Sequence, residues 1–401
     1  MATERRTTMN NKTTTYKQTE VGLIPSDWEV KTIGEIFTFY STSNYSKAEM
    51  SLYGDVGCVH YGLIHAIENS HYSLSSGIKY YVTKEQAKYE AIKEGDVIMV
   101  DASEDLVGLN KSVEVFDLNN KEYIAGLHTF HLRDNNSIYV GTFKGLILNS
   151  NSVKKQMLRF AVGMKVFGVS KPQLQNILIP VPTKAEQTAI ATALSDADTL
   201  ISGLEKLIAK KRNIKQGAMQ KLLQPKEGWE VKKLGDVVEI RKGQLITDNT
   251  RVNGNIPVIA GGKAPAYYHN KANRNGKTIT ISGSGASAGY VAFHNNPIFA
   301  SDCSTIEEHK NYSIEYVFFL MQLLQDKIYK MQTGGAQPHI HPSDLNPIEV
   351  SFPKKEKQEE IATILSDMDN EMLALETKLE KYKKVKLGMM QNLLTGKIRL
   401  I

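Results

Sequence analysis

The chain has 401 residues, of which 41% are hydrophobic and 23% charged, with a net charge of +6 and a pI near 8.9. This length predicts more than one domain, and the composition is that of a globular protein rather than a disordered or fibrous one. No apolar run is long enough to span a bilayer, and two cysteines (Cys58 and Cys303) exclude a disulfide framework.

Residues 1–24 are predicted to form a flexible leader. The segment from Met1 to Glu20 is polar and rich in threonine, and it lacks the apolar core of a signal peptide. Part of it has the character of a non-native extension. With the low cysteine content, this predicts a cytoplasmic protein.

Two globular domains are predicted, at residues 25–182 and 225–353. Both contain short β-type runs that are broken by glycine and asparagine. The clearest runs are Gly95–Val100, Tyr123–Ala125, Lys277–Ile281 and Tyr290–Phe293, and the helical candidates are Lys84–Ala91 and Ile314–Met331. We therefore expect an α+β fold with two β-rich domains.

A long helix is predicted after each domain, at residues 183–224 and 354–401. Apolar residues recur at spacings of four and three, which is the pattern of a coiled coil. The helix-pair core is predicted from Ile190, Leu194, Ile201, Leu204, Ile208, Ile361, Leu365, Met372, Leu375 and Leu379. Because a helix about 60 Å long cannot bury so narrow a stripe alone, we expect the two helices to pair in an antiparallel arrangement.

Lysine and arginine residues lie near the end of each helix, for example Lys215 and Lys386. They either interact favourably with the helix C-terminus and solvate one face, or form a stripe that faces phosphates. Gly217 and Gly388 lie in the same stretches, where glycine is explained either by close approach of another chain or by fraying.

The two helices are copies of one another. Residues 187–223 match residues 358–394 at a constant shift of 171 residues, with 17 of 37 positions identical. A shorter match lies near the start of each domain, before each helix copy, where Trp28–Glu35 corresponds to Trp229–Asp236. The domain centres do not align. This arrangement predicts a pseudo-twofold internal repeat with two domains that recognise different things.

The motifs of known enzymes are incomplete in this sequence. The P-loop-like Gly276–Thr278 has Lys271 where the first glycine belongs. Asn296–Phe299 lacks the second proline of an adenine-methyltransferase loop. Glu29–Lys31 and Glu230–Lys232 fit only the last part of a nuclease motif. We therefore predict no catalytic residues, although an enzyme (a DNA methyltransferase or nuclease) with cryptic motifs stays the alternative.

No metal or cofactor site is predicted either. His339 and His341 with Cys303 lack the paired spacing of a zinc site, and no dinucleotide fingerprint is present.

Polar loops rich in glycine, tyrosine and cations are the candidates for binding. Such loops offer backbone N–H groups and cations to phosphates and polar side chains to base edges. The candidate DNA-binding residues are Tyr40, Asn44, Tyr45, Lys47, Arg241, Lys242, Gln244, Lys263, Tyr267 and Ser284.

Three sequence features resemble the specificity (S) subunits of type I restriction-modification systems. The first is Gly22–Val30 with its echo, the second is the run Pro182–Asp198 with its copy Pro353–Asp369, and the third is the ending Leu393–Arg399. The copy departs at Lys357, where the first run has Glu186.

The resemblance implies a non-catalytic subunit that recognises a bipartite double-stranded DNA target with a fixed-length gap. Each domain would be a target-recognition domain, and the conserved helices would set the gap. Two methylation (M) subunits would dock on the helices, and restriction (R) subunits would join the complex. S-adenosylmethionine, ATP and Mg²⁺ would belong to these partners, so no cofactor is expected here.

Overall fold

The structure, a computed structural model, describes residues 15–103, 105, 108–160, 167–250 and 252–401. It divides into two units. The first lies within Met1–Gly203 and Leu379–Ile401, and the second is Leu204–Lys378. Each unit contains one β-rich domain and a stretch of both long helices, so the helices predicted as separate segments belong half to one domain and half to the other.

The first domain contains fourteen strands and five short helices among its described residues. Its strands are β1 (Tyr16–Thr19), β2 (Gly22–Pro25), β3 (Glu29–Thr32), β4 (Thr38–Tyr40), β5 (Val56–Val59), β6 (His71–Ser73), β7 (Tyr81–Val82), β8 (Val97–Val100), β9 (Ala102–Ser103), β10 (Ser112–Phe116), β11 (Glu122–Ala125), β12 (Thr129–Arg133), β13 (Phe167–Gly168) and β14 (Leu178–Val181). Its helices are α1 (Ile33–Ile36), α2 (Tyr61–Ala66), α3 (Phe143–Leu148), α4 (Asn151–Phe160) and α5 (Lys171–Gln175).

The long helix α6 (Lys184–Leu222) leads to the second domain. The strands there are β15 (Glu230–Lys233), β16 (Ile240–Lys242), β17 (Ile256–Ile259), β18 (Tyr267–His269), β19 (Thr278–Ser282), β20 (Val291–His294), β21 (Phe299–Ala300), β22 (Cys303–Glu307) and β23 (Glu349–Phe352). The helices are α7 (Leu234–Val237), α8 (Ile314–Leu323), α9 (Gln325–Lys330) and α10 (Pro342–Leu345), and the chain continues into α11 (Lys355–Leu393).

The main sheets of the two domains have corresponding strand orders. The order is β4-β12-β8-β10-β6 in the first domain and β16-β22-β19-β20 in the second. A three-stranded sheet accompanies each, and each contains one parallel pair, β5 with β11 and β17 with β21. The central strands β8 and β19 are buried along their whole length, as expected of strands covered on both faces. The domain centres thus share a topology that their sequences do not reveal.

The apolar stripes of the long helices face inward within each unit. Ile190 and Leu194 are buried in the first unit, where Ile201 and Leu379 are half-buried. In the second unit Leu204, Ile208, Ile361 and Leu365 are buried, and Met372 and Leu375 are half-buried. Each helix begins within two residues of its predicted start, because Pro182 and Pro353 end the preceding strands.

A buried glutamine attaches each domain to the start of its helix. In the first unit the Gln187 amide oxygen accepts from the Val140 N–H at 2.9 Å, and its nitrogen donates to the Pro182 carbonyl at 2.8 Å. In the second unit Gln358 accepts from the Ser313 N–H at 3.0 Å and donates to the Pro353 carbonyl at 2.8 Å. The repeated glutamine therefore satisfies buried backbone groups in the same way twice.

Ion pairs join the two long helices within each unit. In the first unit Lys386 of α11 contacts Asp198 of α6. In the second, Lys215 of α6 lies 2.5 Å from Asp369 of α11. Asp369 and Lys386 are the copies of Asp198 and Lys215 at the 171-residue shift. The two contacts are thus the same pair with the copies exchanged, so neither lysine merely solvates a helix face. Both Gly217 and Gly388 are helical, and an added Cβ would meet no atom within 4 Å.

Four local predictions were wrong. The second long helix was expected to reach residue 401, but it ends at Leu393. Residues 16–24 of the predicted flexible leader lie in the hairpin β1–β2, which is anchored by the buried Ile24 and by the Tyr16 hydroxyl, which donates to the Gly396 carbonyl at 3.1 Å. Residues 1–14 lie outside the described part. Lys84–Ala91 is a set of turns rather than a helix, because Tyr89 packs on Tyr45 and Glu90 pairs with Arg133. The predicted helix Ile314–Met331 breaks at Leu324 into α8 and α9.

We expect Lys386→Asp to lower the free energy of unfolding by about 2 kcal/mol or more, because it places two carboxylates together in a partly buried contact. Adding Asp198→Lys should restore most of the loss, since the pair is then reversed rather than broken. Urea unfolding of the full chain measures both effects.

The exposed neighbour Lys384→Asp serves as the control and should change stability little. Additive losses in the double variant would contradict a direct Asp198–Lys386 interaction.

Candidate nucleic-acid interface

Five of the six candidates in the second domain lie at one edge of its sheets. We call this the second strand-end edge; it comprises the ends of β16, β17 and β19, the start of β22 and the residues adjoining them. Residues at its centre are bonded directly: the Gln244 N–H donates to the Ala300 carbonyl at 2.9 Å, and the Ser284 hydroxyl donates to the Asp302 carboxylate. The candidates there are Lys242, Gln244, Lys263, Tyr267 and Ser284. The sixth candidate, Arg241, lies within β16, and its guanidinium contacts Glu239 and Glu307 towards the opposite end of β22.

Glycine allows the loops of this edge to approach one another. A Cβ on Gly261 would lie 2.6 Å from the Ser284 carbonyl oxygen, and one on Gly243 would lie 2.1 Å from the Ser301 carbonyl oxygen. Ser282, at the end of β19, donates from its hydroxyl to the Gly261 carbonyl at 2.7 Å. The loops that contain Gly243 and Gly261 can therefore approach Ser301 and Ser284 closely, because neither of these glycines carries a side chain.

The side chains at this edge differ in how free they are to bind a ligand. Lys263 is exposed, with its Nζ 5.3 Å from the Tyr290 ring centre, and Lys242 and Gln244 are exposed. Arg241 is paired with Glu239 through two bonds of 2.8 and 2.7 Å, which raise its pKa. The Tyr267 hydroxyl donates to the Ile246 carbonyl. Lys242, Gln244 and Lys263 are therefore the available polar groups, while the Tyr267 hydroxyl is engaged within the edge and Arg241 is paired away from it.

The four candidates of the first domain divide in the same way. The Tyr40 ring lies 4.6 Å from the Arg133 guanidinium, which is bound to the buried Asp96 carboxylate at 2.8 Å. The Tyr45 hydroxyl donates to the Gln86 carbonyl at 3.1 Å. Asn44 and Lys47 are exposed. The two tyrosines are thus engaged within the domain, and Asn44 and Lys47 face solvent.

A group of side chains at the corresponding edge of the first domain was not indicated by the sequence. This first strand-end edge comprises the ends of β4, β5, β8 and β11 and the start of β12. His128 and Asp101 meet there at 3.3 Å, and the Tyr61 ring stands edge-on to His128 at 5.5 Å. The His128 side chain is 52% exposed. Burial raises the pKa of Asp101, and the neighbouring His128 opposes that shift.

His60 lies beneath this edge rather than on it. Its side chain is buried, and its Nδ1 accepts from the Gly62 N–H at 3.0 Å. Burial lowers the pKa of His60, and the charge of Lys47 adds to the effect. His60 is therefore held neutral as a support for the loop that carries Tyr61.

The histidines noted beside Cys303 do not form a metal site with it. Burial raises the pKa of the Cys303 thiol to about 12, so the thiolate that metals bind is disfavoured. The His339 and His341 rings are stacked 6.3 Å apart. Over the described ranges, no three histidine, cysteine or acidic side chains are grouped as a metal site would require. Nor does any helix there have the length and apolar character needed to cross a membrane.

A sequence model of the type I restriction modification DNA specificity domain matches residues 25–216 and 226–386. The chain belongs to the family of type I restriction-modification specificity subunits. The resemblance noted in the sequence is thereby confirmed. Both matched segments contain one strand-end edge and most of one long helix, so the edges described above lie within the two DNA specificity domains.

Relatives of this family match either almost the whole chain or more than half of it. It is 26% identical to the putative type I restriction enzyme MjaX specificity subunit of Methanocaldococcus jannaschii, over 96% of each chain. It is 24% identical to a putative type I specificity subunit of Mycoplasma genitalium, over 58% of this chain and 64% of that one.

Two solved structures share the fold. The crystal structure of the type I restriction-modification system S subunit from M. genitalium has a TM-score of 0.58 and 18% identity, over 91% of this chain and 96% of that one. A chain from a structural study of complex assembly and conformational transition of the type I R-M system has a TM-score of 0.62 and 17% identity, over 94% of this chain and 99% of that one. The mixed α/β architecture with two domains and long helices is therefore that of known S subunits.

We expect Gly261→Ala to destabilise the second domain by about 1–3 kcal/mol, because the new methyl group would force the loop away from Ser284. Thermal unfolding of the full chain measures the loss. Gly262→Ala is the matched control, since the nearest atom to its Cβ would be 3.5 Å away. Equal melting temperatures for the two variants would contradict the close approach.

Proposed function

We propose that this chain is the non-catalytic subunit that recognises a bipartite DNA target with a fixed gap. The observation that carries the proposal is the correspondence of the two domains: strand orders match while the side chains at the two strand-end edges differ. A repeated scaffold with different residues at its edge is suited to reading two different half-sites. Exposed Lys242, Gln244 and Lys263 supply groups for phosphates and base edges in the second domain.

The long helices are proposed to form an antiparallel coiled-coil pair related by a pseudo-twofold axis. The exchanged pairs Asp198–Lys386 and Lys215–Asp369 support this arrangement, since equivalent residues of two copies meet in this way only when the copies run in opposite directions. Two half-sites on one face of a duplex are separated by one helical turn, about 34–36 Å, or by a multiple of it. Helices about 60 Å long are adequate spacers over such a distance.

The exposed faces of the helices are proposed to dock two methylation subunits, which in turn assemble with restriction subunits. In the second unit, Leu207 and Ile214 are exposed one heptad apart on α6, and Leu373 is 63% exposed on α11. Apolar residues left in solvent at helical spacing favour packing of partner helices, as in a four-helix bundle. The open space beside Gly217 and Gly388 would admit a close approach.

We expect that replacing residues 25–182 by the corresponding domain of another S subunit will change only one half of the methylated motif. The measurement is a map of methylated adenines in DNA from cells that carry the chain and its methylation subunits. The unexchanged chain should give one bipartite motif.

Two outcomes would count against the proposal. A change in both halves would contradict separate readers. Methylation or cleavage of DNA by the purified chain alone, supplied with S-adenosylmethionine or Mg²⁺, would instead favour the enzymatic alternative.

We expect a seven-residue insertion after Lys206 and after Thr377, which are equivalent at the 171-residue shift, to widen the gap by about three base pairs or to abolish methylation. Seven residues lengthen a helix by about 10 Å and preserve the heptad pattern.

A four-residue insertion at the same places is the control, because it shifts the apolar stripe and should destabilise the chain. Full activity with an unchanged gap in the seven-residue variant would contradict the spacer role.

A further inference from the structure

We propose that Tyr61 and His128, with Asp101 orienting the histidine, are specificity-determining residues of the first domain. The inference rests on the proposed function and assigns base contacts to residues at the first strand-end edge that neither the motifs nor the loop composition indicated. It replaces Tyr40 and Tyr45 as the aromatic candidates of this domain, because both of those side chains are engaged in internal contacts.

The assignment begins with the correspondence of the sheets. In the order β4-β12-β8-β10, strand β8 occupies the place of β19, and β12 occupies the place of β22. Asp101 follows the end of β8 and His128 precedes the start of β12. Ser284 and Asp302 stand at the matching positions after β19 and before β22, and they too are joined by a side-chain hydrogen bond. Each domain therefore links the same two strand ends through a polar side-chain pair.

Tyr61 is brought to this pair by the smaller sheet. Strand β5 pairs in parallel with β11, so the residues after the two strands emerge side by side. The Tyr61 N–H donates to the Leu127 carbonyl at 3.2 Å, which fixes the start of α2 next to His128. The matching strand of the second domain, β17, leads into Gly261, Gly262 and Lys263. Tyr61 thus takes the place that a glycine-rich loop has in the other domain.

Tyr61 and His128 border an open cavity rather than a packed core. Tyr61, His65, Ser103 and His128 line a depression of about 420 Å³. Tyr61 stands edge-on to both histidines, at 5.5 Å from His128 and 6.3 Å from His65. The polar ends of the Tyr61 and His128 side chains therefore belong to an accessible rim.

The chemistry of the rim matches base edges. An ionised Asp101 can only accept a hydrogen bond, so His128 donates to it through Nδ1, and the tautomer that does so presents Nε2 as an acceptor. An acceptor selects the exocyclic amino groups of adenine or cytosine, and the Tyr61 hydroxyl can donate to N7 or O6. The exposed Gln244 amide and Lys263 ammonium of the other domain offer a different set, as required of a domain that reads a different half-site.

The test uses the chain assembled with its methylation subunits and a library of DNA duplexes in which each target position is varied. We expect His128→Ala and Tyr61→Phe to reduce discrimination at positions of the first domain's half-site by about fivefold or more. The other half-site should keep its wild-type preference. Gln244→Ala should show the reverse pattern.

Tyr53→Ala is the matched control. This tyrosine is 85% exposed, but it precedes β5 and so lies at the opposite end of the same strand from Tyr61. It should leave both half-sites unchanged. Melting temperatures of all variants are measured in parallel, because a structural role would lower stability and weaken binding equally for every sequence.

The outcomes separate the inference from the function on which it rests. Unchanged discrimination in both first-domain variants, or a uniform loss across the library with a lower melting temperature, would overturn the assignment while the bipartite preference of the wild type stands. Absence of any bipartite preference in the wild-type complex would overturn the proposed function itself.

Discussion

The structure depends on one constraint: neither long helix can bury its apolar stripe or pair its aspartate without the other helix. Each carries a narrow apolar stripe and an aspartate whose partner lysine belongs to the other copy. Leaving Asp198 without Lys386 would place a largely buried carboxylate next to apolar side chains, which is far costlier than losing an exposed pair. Each unit therefore requires a stretch of both helices, and the repeat in the sequence is the simplest way to supply matching partners.

A consequence concerns the order in which the chain can fold. The core of the first unit includes Leu393 and Leu394, near the C-terminus, together with Trp28 and Ile190. Its completion therefore requires contacts between residues more than 350 positions apart in the sequence. Such non-local contacts impose a large loop-closure cost and slow folding. The second unit has no such requirement, since it is a single stretch of the chain, Leu204–Lys378.

The parts of the fold that could be predicted are those fixed by local patterns. The helix starts follow from proline positions, and the strands at residues 97–100 and 278–282 follow from apolar runs. Prediction failed where tertiary contacts oppose local preference. Lys84–Ala91 consists of good helix formers, yet the Arg133 ion pair of Glu90 and the packing of Tyr89 hold it in turns.

The candidate site shows a similar division. Glycine-rich loops of the second domain could be found because glycine is visible in a sequence, and they do converge on one edge. Tyr40 looked like a binding residue because its loop is polar, but Arg133 lies against its ring. His128 carried no motif. His128 is identified as a candidate by its position before β12, the strand that corresponds to β22 in the strand order.

The difference between Glu186 in the first copy and Lys357 in the second is explained by chain connectivity. In the first unit the buried Glu186 carboxylate accepts from the Trp28 indole at 2.7 Å and from Arg399. In the second, Lys357 occupies the equivalent position and pairs with Glu360 at 2.8 Å.

Arg399 lies in the segment after α11, whereas the residue equivalent to it after α6 is Gly228, which leads into the next domain. A buried glutamate without that arginine would lack its cation, so the exposed lysine pair is the stable alternative. The adjacent glutamine is unaffected, because Gln187 and Gln358 bond only to backbone groups of their own domains. The two copies thus have the same residue where its bonding partners lie in the same domain. They differ where the partner lies in the segment beyond the end of the helix.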